Sequence, residues 1–412
     1  MFDRRSFLKS TLAGTGLVAA GLAAPRFLTR TAAAAPRLGA RGAKDTLLVV
    51  VQLTGGNDGL GTVIPFKDPL YIRYRPTLKQ PVDRILKLSD EIGLHPALTG
   101  LAALHDKQQL CVVQGVGYPN PSQSHFRSMD IWQAGSTADH LAEGWLGKAM
   151  NRLRSGPGGF HLAMANESAP LAFAGAPAKV PSLTSLADFQ LRTLAGSGAD
   201  RQAQRQIIEN AAQPGAPSPL LDFVKQTAVN TYASARRLQE IAGNYEPKAT
   251  YPASGLAERL KLAAQLIAAE LDARIFYVSI DGFDTHANQA ASHANLLSEV
   301  GDAVRAFYED MAAQGHGERV LVMTFSEFGR RARENGSKGT DHGSAAPMFL
   351  VGSKVKAGLV GAHPSLEKLE DGNLAHHTDF RQVYAAILEH WLGVRPTDVL
   401  DGRFTPAEVL QA

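Results

Sequence analysis

Apolar residues in this chain cluster in short blocks, and polar residues gather where the blocks end. "TLLVVVQLTGGNDG", Thr46 to Gly59, holds a continuous, largely β-branched run that stops at glycines. A strand covered on both faces has that pattern, because neither face meets water. "QLCVVQGVGYPNPSQSHF", Gln109 to Phe126, repeats it: a strand, a Gly/Pro/Asn loop, then a helix start at Ser122 or Ser124. "RIFYVSID" (Arg274 to Asp281) and "ERVLVMTFSEFG" (Glu318 to Gly329) predict two more strands, and "PMFLVG" (Pro347 to Gly352) a fifth. Between them, His293 to Gly315 spaces Leu296, Leu297, Val300, Val304, Phe307 and Met311 at helical period on one face.

Strand, helix, strand alternation predicts an α/β fold, a mainly parallel sheet with helices on both faces. Residues 186 to about 270 differ: they are Ala-rich and helix-forming with Pro/Gly breaks, which predicts a helical insertion within one domain spanning 36–412. Ligands on such sheets bind beyond the carboxyl ends of the strands. Four polar clusters lie at those ends: Asp58; Ser124 with His125; Asp281, Asp284 and His286; and Ser326 with Glu327, closely followed by Asp341 and His342. Carboxylates and imidazoles gathered at one rim form a ligand set for one or two divalent metals, and a hydroxyl beside them can be activated for displacement at phosphorus or sulfur.

Each piece also has a structural reading. Asp58 after two glycines suits a turn or a helix cap, and Ser124 suits a cap. His125 and Arg127 suit a solvated surface, and "SEFGRR" suits a capped helix start with Arg330 and Arg331 exposed. "DGFDTH" resists this treatment, since a turn at a strand end needs one polar residue and has three. His376 and His377, just before the amphipathic "TDFRQVYAAILEHWL", are reserve ligands.

Composition narrows the class. At 44% hydrophobic and 20% charged, 412 residues describe an ordinary globular chain. "DRRSFLKS", Asp3 to Ser10, followed by an apolar stretch and the small residues Ala32 to Ala35, reads as a twin-arginine signal peptide over residues 1–35. It implies the twin-arginine export machinery as a partner, a periplasmic or otherwise exported location, and no stable membrane span in the mature chain. The signal holds Arg4, Arg5, Lys9, Arg26 and Arg30 against Asp3, so of 42 basic and 39 acidic residues 37 and 38 remain beyond it. That near-neutral balance argues against nucleic acid as a partner. Cys111 is the only cysteine, which excludes an internal disulfide and a cysteine-based metal cage.

The signal together with "LTGGNDGLGTVIPF", "GVGYPNPSQSHFRSMDIWQ", "DGFDTHANQ", "FSEFGRRARENGSKGTDHG" and "DFRQVYAAILEHWL" resembles the exported bacterial family catalogued as domain of unknown function 1501. That family is similar to the alkaline phosphatase and sulfatase superfamily. The resemblance implies an alkaline-phosphatase-like fold and a metal-dependent hydrolase of small phosphate or sulfate esters. It implies Ser124 as nucleophile, His125 in proton transfer and Arg127 on the substrate's oxygens. One metal would take Asp281 or Asp284 with His286 and His342, with Asp341 beside them. Where the superfamily usually places Asp-His, this chain has Ser326-Glu327, so a second ion on Asp58 and Glu327 would lack an imidazole and favour Mg, Mn or Ca over Zn. The same departure allows an alternative: a catalytically silent relative that binds a metal or an envelope partner.

Overall fold

All seven residues of β1 (Leu47–Leu53) are buried, and alternate side chains enter two different cores. Leu47, Val49, Val51 and Leu53 face one; Leu48 and Val50 face the other, so both faces of the strand are dry, as its unbroken apolar run requires. The structure, a computed structural model, describes residues 45–153, 158–164, 167–177, 180–185, 244–270 and 273–411. The expected signal (1–35) and residues 186–243 of the expected insertion lie outside the described residues.

Eight further strands join β1: β2 (Leu110–Gly117), β3 (Gly158–Leu162), β4 (Ser182–Leu183), β5 (Ala273–Ile280), β6 (Val320–Phe325), β7 (Ala346–Val351), β8 (Gly358–Val360) and β9 (Thr378–Asp379). Their order is β8-β2-β7-β6-β1-β5-β3-β4, with β9 also pairing with β2. Every pairing is parallel except those of β7, which runs antiparallel to both β2 and β6. The fold is therefore α/β with a mixed, mostly parallel sheet. The reversed β7 matters for function: its beginning, and the segment before it, lie at the same rim as the ends of β1, β2, β5 and β6.

The described α-helices are α1 (Gly59–Thr62), α2 (Pro69–Tyr74), α3 (Thr99–Asp106), α4 (His125–Ala134), α5 (Trp145–Met150), α6 (Gly255–Ala268), α7 (Gln289–Ala313) and α8 (Phe380–Ala386). Side chains of α3, α6 and α7 fill one core, including Leu101, Leu260, Val300 and Phe307. Trp132 of α4, Trp145 of α5 and Tyr384 of α8 fill the other, with the Trp145 and Tyr384 rings stacked at 4.2 Å. Burying such side chains contributes roughly 1.5–3 kcal/mol each, which is what holds helices against both faces. The periodic segment at 293–315 is α7, begun four residues earlier than its apolar spacing predicts. Among the described residues no helix is long and apolar enough to cross a membrane.

Candidate metal centre

His125 opens α4 after β2, Asp284 and His286 follow β5, and His342 precedes the reversed β7. The rim brings them together. His342 Nε2 lies 3.0 Å from His125 Nε2, 2.9 Å from His286 Nε2 and 3.2 Å from Asp284 Oδ1. The same carboxylate oxygen lies 3.4 Å from His125 Nε2 and 3.0 Å from His286 Nε2. Gly55, after β1, makes this packing possible: at φ +115° it lies so close to the chain at Asp284 that a Cβ would come within 2.4 Å of the Asp284 nitrogen.

The other ring nitrogens decide what the cluster can do. His342 Nδ1 lies 2.8 Å from the Gln123 carbonyl, His125 Nδ1 2.8 Å from Glu327 Oε1, and His286 Nδ1 3.5 Å from Asp341 Oδ1. Each Nδ1 thus faces an acceptor, and the tautomer protonated there leaves Nε2 free to bind a cation. In that tautomer three Nε2 atoms and a carboxylate oxygen face one another, a donor set that a divalent cation would satisfy. The separations among His125, Asp284 and His342, 3.0–3.4 Å, suit one, since ligands at ~2.0–2.1 Å from a tetrahedral ion lie about 3.3 Å from one another, and His286 Nε2 adds a donor beside Asp284 and His342.

Charge points the same way. The cluster gathers the carboxylates of Asp284, Glu327 and Asp341, with Arg330 paired to Asp284 and the charge of Arg331 acting on Asp341. Burial raises the Asp284 pKa, but the hydrogen bond and charge of Arg330 outweigh it and hold the carboxyl down to about 2. Burial, with the charges of Arg330 and His125, lowers the His342 pKa and favours its neutral, ligating form. Hydrogen bonding by Asn335 holds Asp341 below the usual carboxylate range.

Arg330 is fully buried and not the exposed residue that "SEFGRR" suggests. Its guanidinium donates to the carbonyls of Gly55, Gly56, Phe283 and Thr340 and, at 2.7 Å, to Asp284 Oδ1. One side chain thus ties the loops after β1 and β5 to the segment before β7.

Other expected site residues lie elsewhere or act differently. Asp58 does not enter the cluster: both carboxylate oxygens are bound by Arg75, at 2.5 and 2.7 Å, and Gln289 donates to Oδ2 at 2.6 Å. Arg75 also donates to the carbonyls of Arg331 and Ala332, so this buried ion pair clamps the loop after β6. Glu327 has its Oε1 taken by Gly55 N–H and His125 Nδ1–H. Asp281 is exposed at the end of β5, where its charge acts on Arg259. Arg127 turns away to donate to the carbonyls of Thr137, Ala138 and Asp139. His377 bonds to Ala362 O and Thr378 Oγ1 and stays outside the cluster. Ser124 is the N-cap of α4, but its hydroxyl caps nothing and is exposed.

Fold and cluster together define an α/β protein with an imidazole–carboxylate centre at its strand ends. The chain belongs to the family described as protein of unknown function (DUF1501), which it matches over residues 45–401. No curated protein matches it. Among solved structures it is similar to Ps i-CgsB in complex with k-i-k-neocarrahexaose, at 11% identity and TM-score 0.39, covering 88% of this chain and 75% of that one. It is also similar to the PsFucS1 sulfatase from Pseudoalteromonas sp., at 12% identity and TM-score 0.32, over 82% and 69% of the two chains. A third is the alkaline phosphatase from the Antarctic bacterium TAB5, at 12% identity and TM-score 0.31, over 75% and 92%.

Proposed function

We propose that His125, His286, His342 and Asp284 hold one divalent metal ion, and that the protein is an exported metal-dependent hydrolase of phosphate or sulfate esters. The observation that carries the metal reading is the convergence of three Nε2 atoms on Asp284 Oδ1, each Nδ1 facing an acceptor. Three nitrogens and one oxygen suit Zn or another imidazole-binding divalent ion better than Mg or Ca. Of the expected holders of a second ion, Asp58 has both oxygens bound by protein donors and Glu327 has its Oε1 so bound, which supports one ion per chain. Export rests on the paired arginines near the start of the sequence.

A metal in this position supplies Lewis acidity toward a phosphoryl or sulfuryl oxygen. Ser124 supplies the nucleophile in this reading: it is one residue from His125, exposed, and has its hydroxyl free of the cap. Its Oγ forms the new bond to phosphorus or sulfur as the ester oxygen departs, and the hydroxyl proton ends on the leaving alcohol. Water then releases phosphate or sulfate and restores the serine. Ser124→Ala is expected to keep its metal and lose at least about 100-fold in kcat on aryl phosphate or aryl sulfate, a loss on the scale of removing one key catalytic group. Full turnover in that variant would remove Ser124 from the mechanism.

A second reading, a metal-binding protein without turnover, draws support from the ligand count, since four protein ligands are typical of a closed structural site. Against it, Asp284 and His286 remain 47% and 44% exposed, leaving the centre open on one side. A metal-loaded wild type inert toward every aryl ester would favour the second reading.

A further inference from the structure

Glu327 has no side-chain exposure, yet its carboxylate is central to the rim. Oε1 accepts two hydrogen bonds, each of 2.8 Å, from Gly55 N–H after β1 and from His125 Nδ1–H at the start of α4. The Glu327 main-chain carbonyl accepts from the Ser128 hydroxyl, whose Oγ lies 2.8 Å from Tyr118 OH. Ser128 is one helical turn beyond His125, so the side chain and main chain of one residue grip the same face of α4's first turn. The neighbouring Ser326 hydroxyl donates to Leu53 O at 2.7 Å and accepts from Asn57 N–H at 2.9 Å, locking β6 to the loop after β1.

We propose that Glu327 is a positioning residue of the metal centre and not a ligand of a second ion. It holds His125 in the Nδ1–H tautomer, aims Nε2 at Asp284 and His342, and fixes the helix start that carries Ser124. This role rests on the metal reading given above. A carboxylate behind a ligating imidazole orients the ring and raises its basicity, and losing such a partner typically weakens metal binding about 10–100-fold. Glu327 has the geometry for that role: the oxygen that orients His125 also takes Gly55 N–H, and Oε2 lies 3.3 Å from the Ser326 hydroxyl.

Glu327→Gln separates the two roles, because the amide oxygen can accept both N–H bonds while the negative charge behind His125 is lost. Zinc affinity would be measured by competition with a chromophoric chelator, and the Co(II) visible spectrum recorded on the same proteins. The expected result is one zinc per chain in wild type and variant, bound about 10–100-fold more weakly in the variant, with shifted Co(II) bands. Unchanged affinity and bands would overturn the proposal. So would two zincs in the wild type falling to one in the variant, which would make Glu327 a ligand. No zinc in the wild type would overturn the metal reading itself and this role with it. In the unaltered protein, zinc loading should also give a slowly exchanging His125 Nδ1–H resonance, and its absence would contradict the role even if the variant fails to fold.

Discussion

Replacing Arg75 by Met is expected to destabilise the protein by about 3–5 kcal/mol, the usual cost of removing one partner from a buried ion pair. Arg75 and Asp58 are each 1% exposed. Methionine would fill most of the volume but leave the Asp58 carboxylate with Gln289 as its remaining side-chain donor and return nothing to the Arg331 and Ala332 carbonyls. Denaturant unfolding should show a lower midpoint with an unchanged slope, while metal content stays as in the wild type. A loss below about 1 kcal/mol, the range of an exposed pair, would contradict the clamp, and loss of the metal would show that the pair supports the centre.

The same pair fixes a pH dependence. Burial raises the Asp58 pKa, but the charge and hydrogen bonds of Arg75 prevail and hold it well below its ordinary value. A depressed folded-state pKa contributes stability above the unfolded value of ~3.9, and that contribution is lost as pH falls through the folded value. Acid unfolding of wild type should therefore be steeper below pH ~4 than that of an Asp58→Asn variant. Equal acid sensitivity would contradict this.

The second large effect is expected at His342, whose Nε2 alone lies within 3.2 Å of the other three ligand atoms. His342→Ala removes a ligand and not a supporting partner, so zinc affinity should fall by more than the roughly 100-fold upper range of outer-shell changes. His342 is 23% exposed on a loop, so the fold should survive. Retained affinity in a folded His342→Ala protein would show that the zinc is held without His342 and contradict this centre.

Much of the sheet was legible because it is buried on both faces. β1, β2, β5, β6 and β7 carry continuous apolar runs, and such runs need no knowledge of their neighbours to be read. The shorter β3, β4, β8 and β9 have no such run and owe their pairing to the strands beside them. Gathering polar residues at strand ends located Asp284, His286, Glu327, Asp341 and His342, because a parallel sheet delivers its loops to one rim. His342 precedes its strand and reaches that rim only because β7 is reversed.

What the sequence could not disclose are the partners. Asp58 after "GGN" looks alike whether a metal or a distant arginine neutralises it, and Arg75 lies in a stretch with no signal of its own. Arg330 reads as a surface residue in "GRR" until four carbonyls and a carboxylate are found around it. His125 differs from an expected proton-transfer group through one tertiary contact, Glu327 at Nδ1, which turns Nε2 toward the cluster.

The most direct measurement is the divalent metal content of the folded protein after zinc loading and removal of excess ion. One equivalent per chain in the wild type, lost in both His286→Ala and His342→Ala and retained in Arg75→Met, is the predicted result. A wild type that holds no stoichiometric metal, or that keeps it when both imidazoles are removed, would contradict the account.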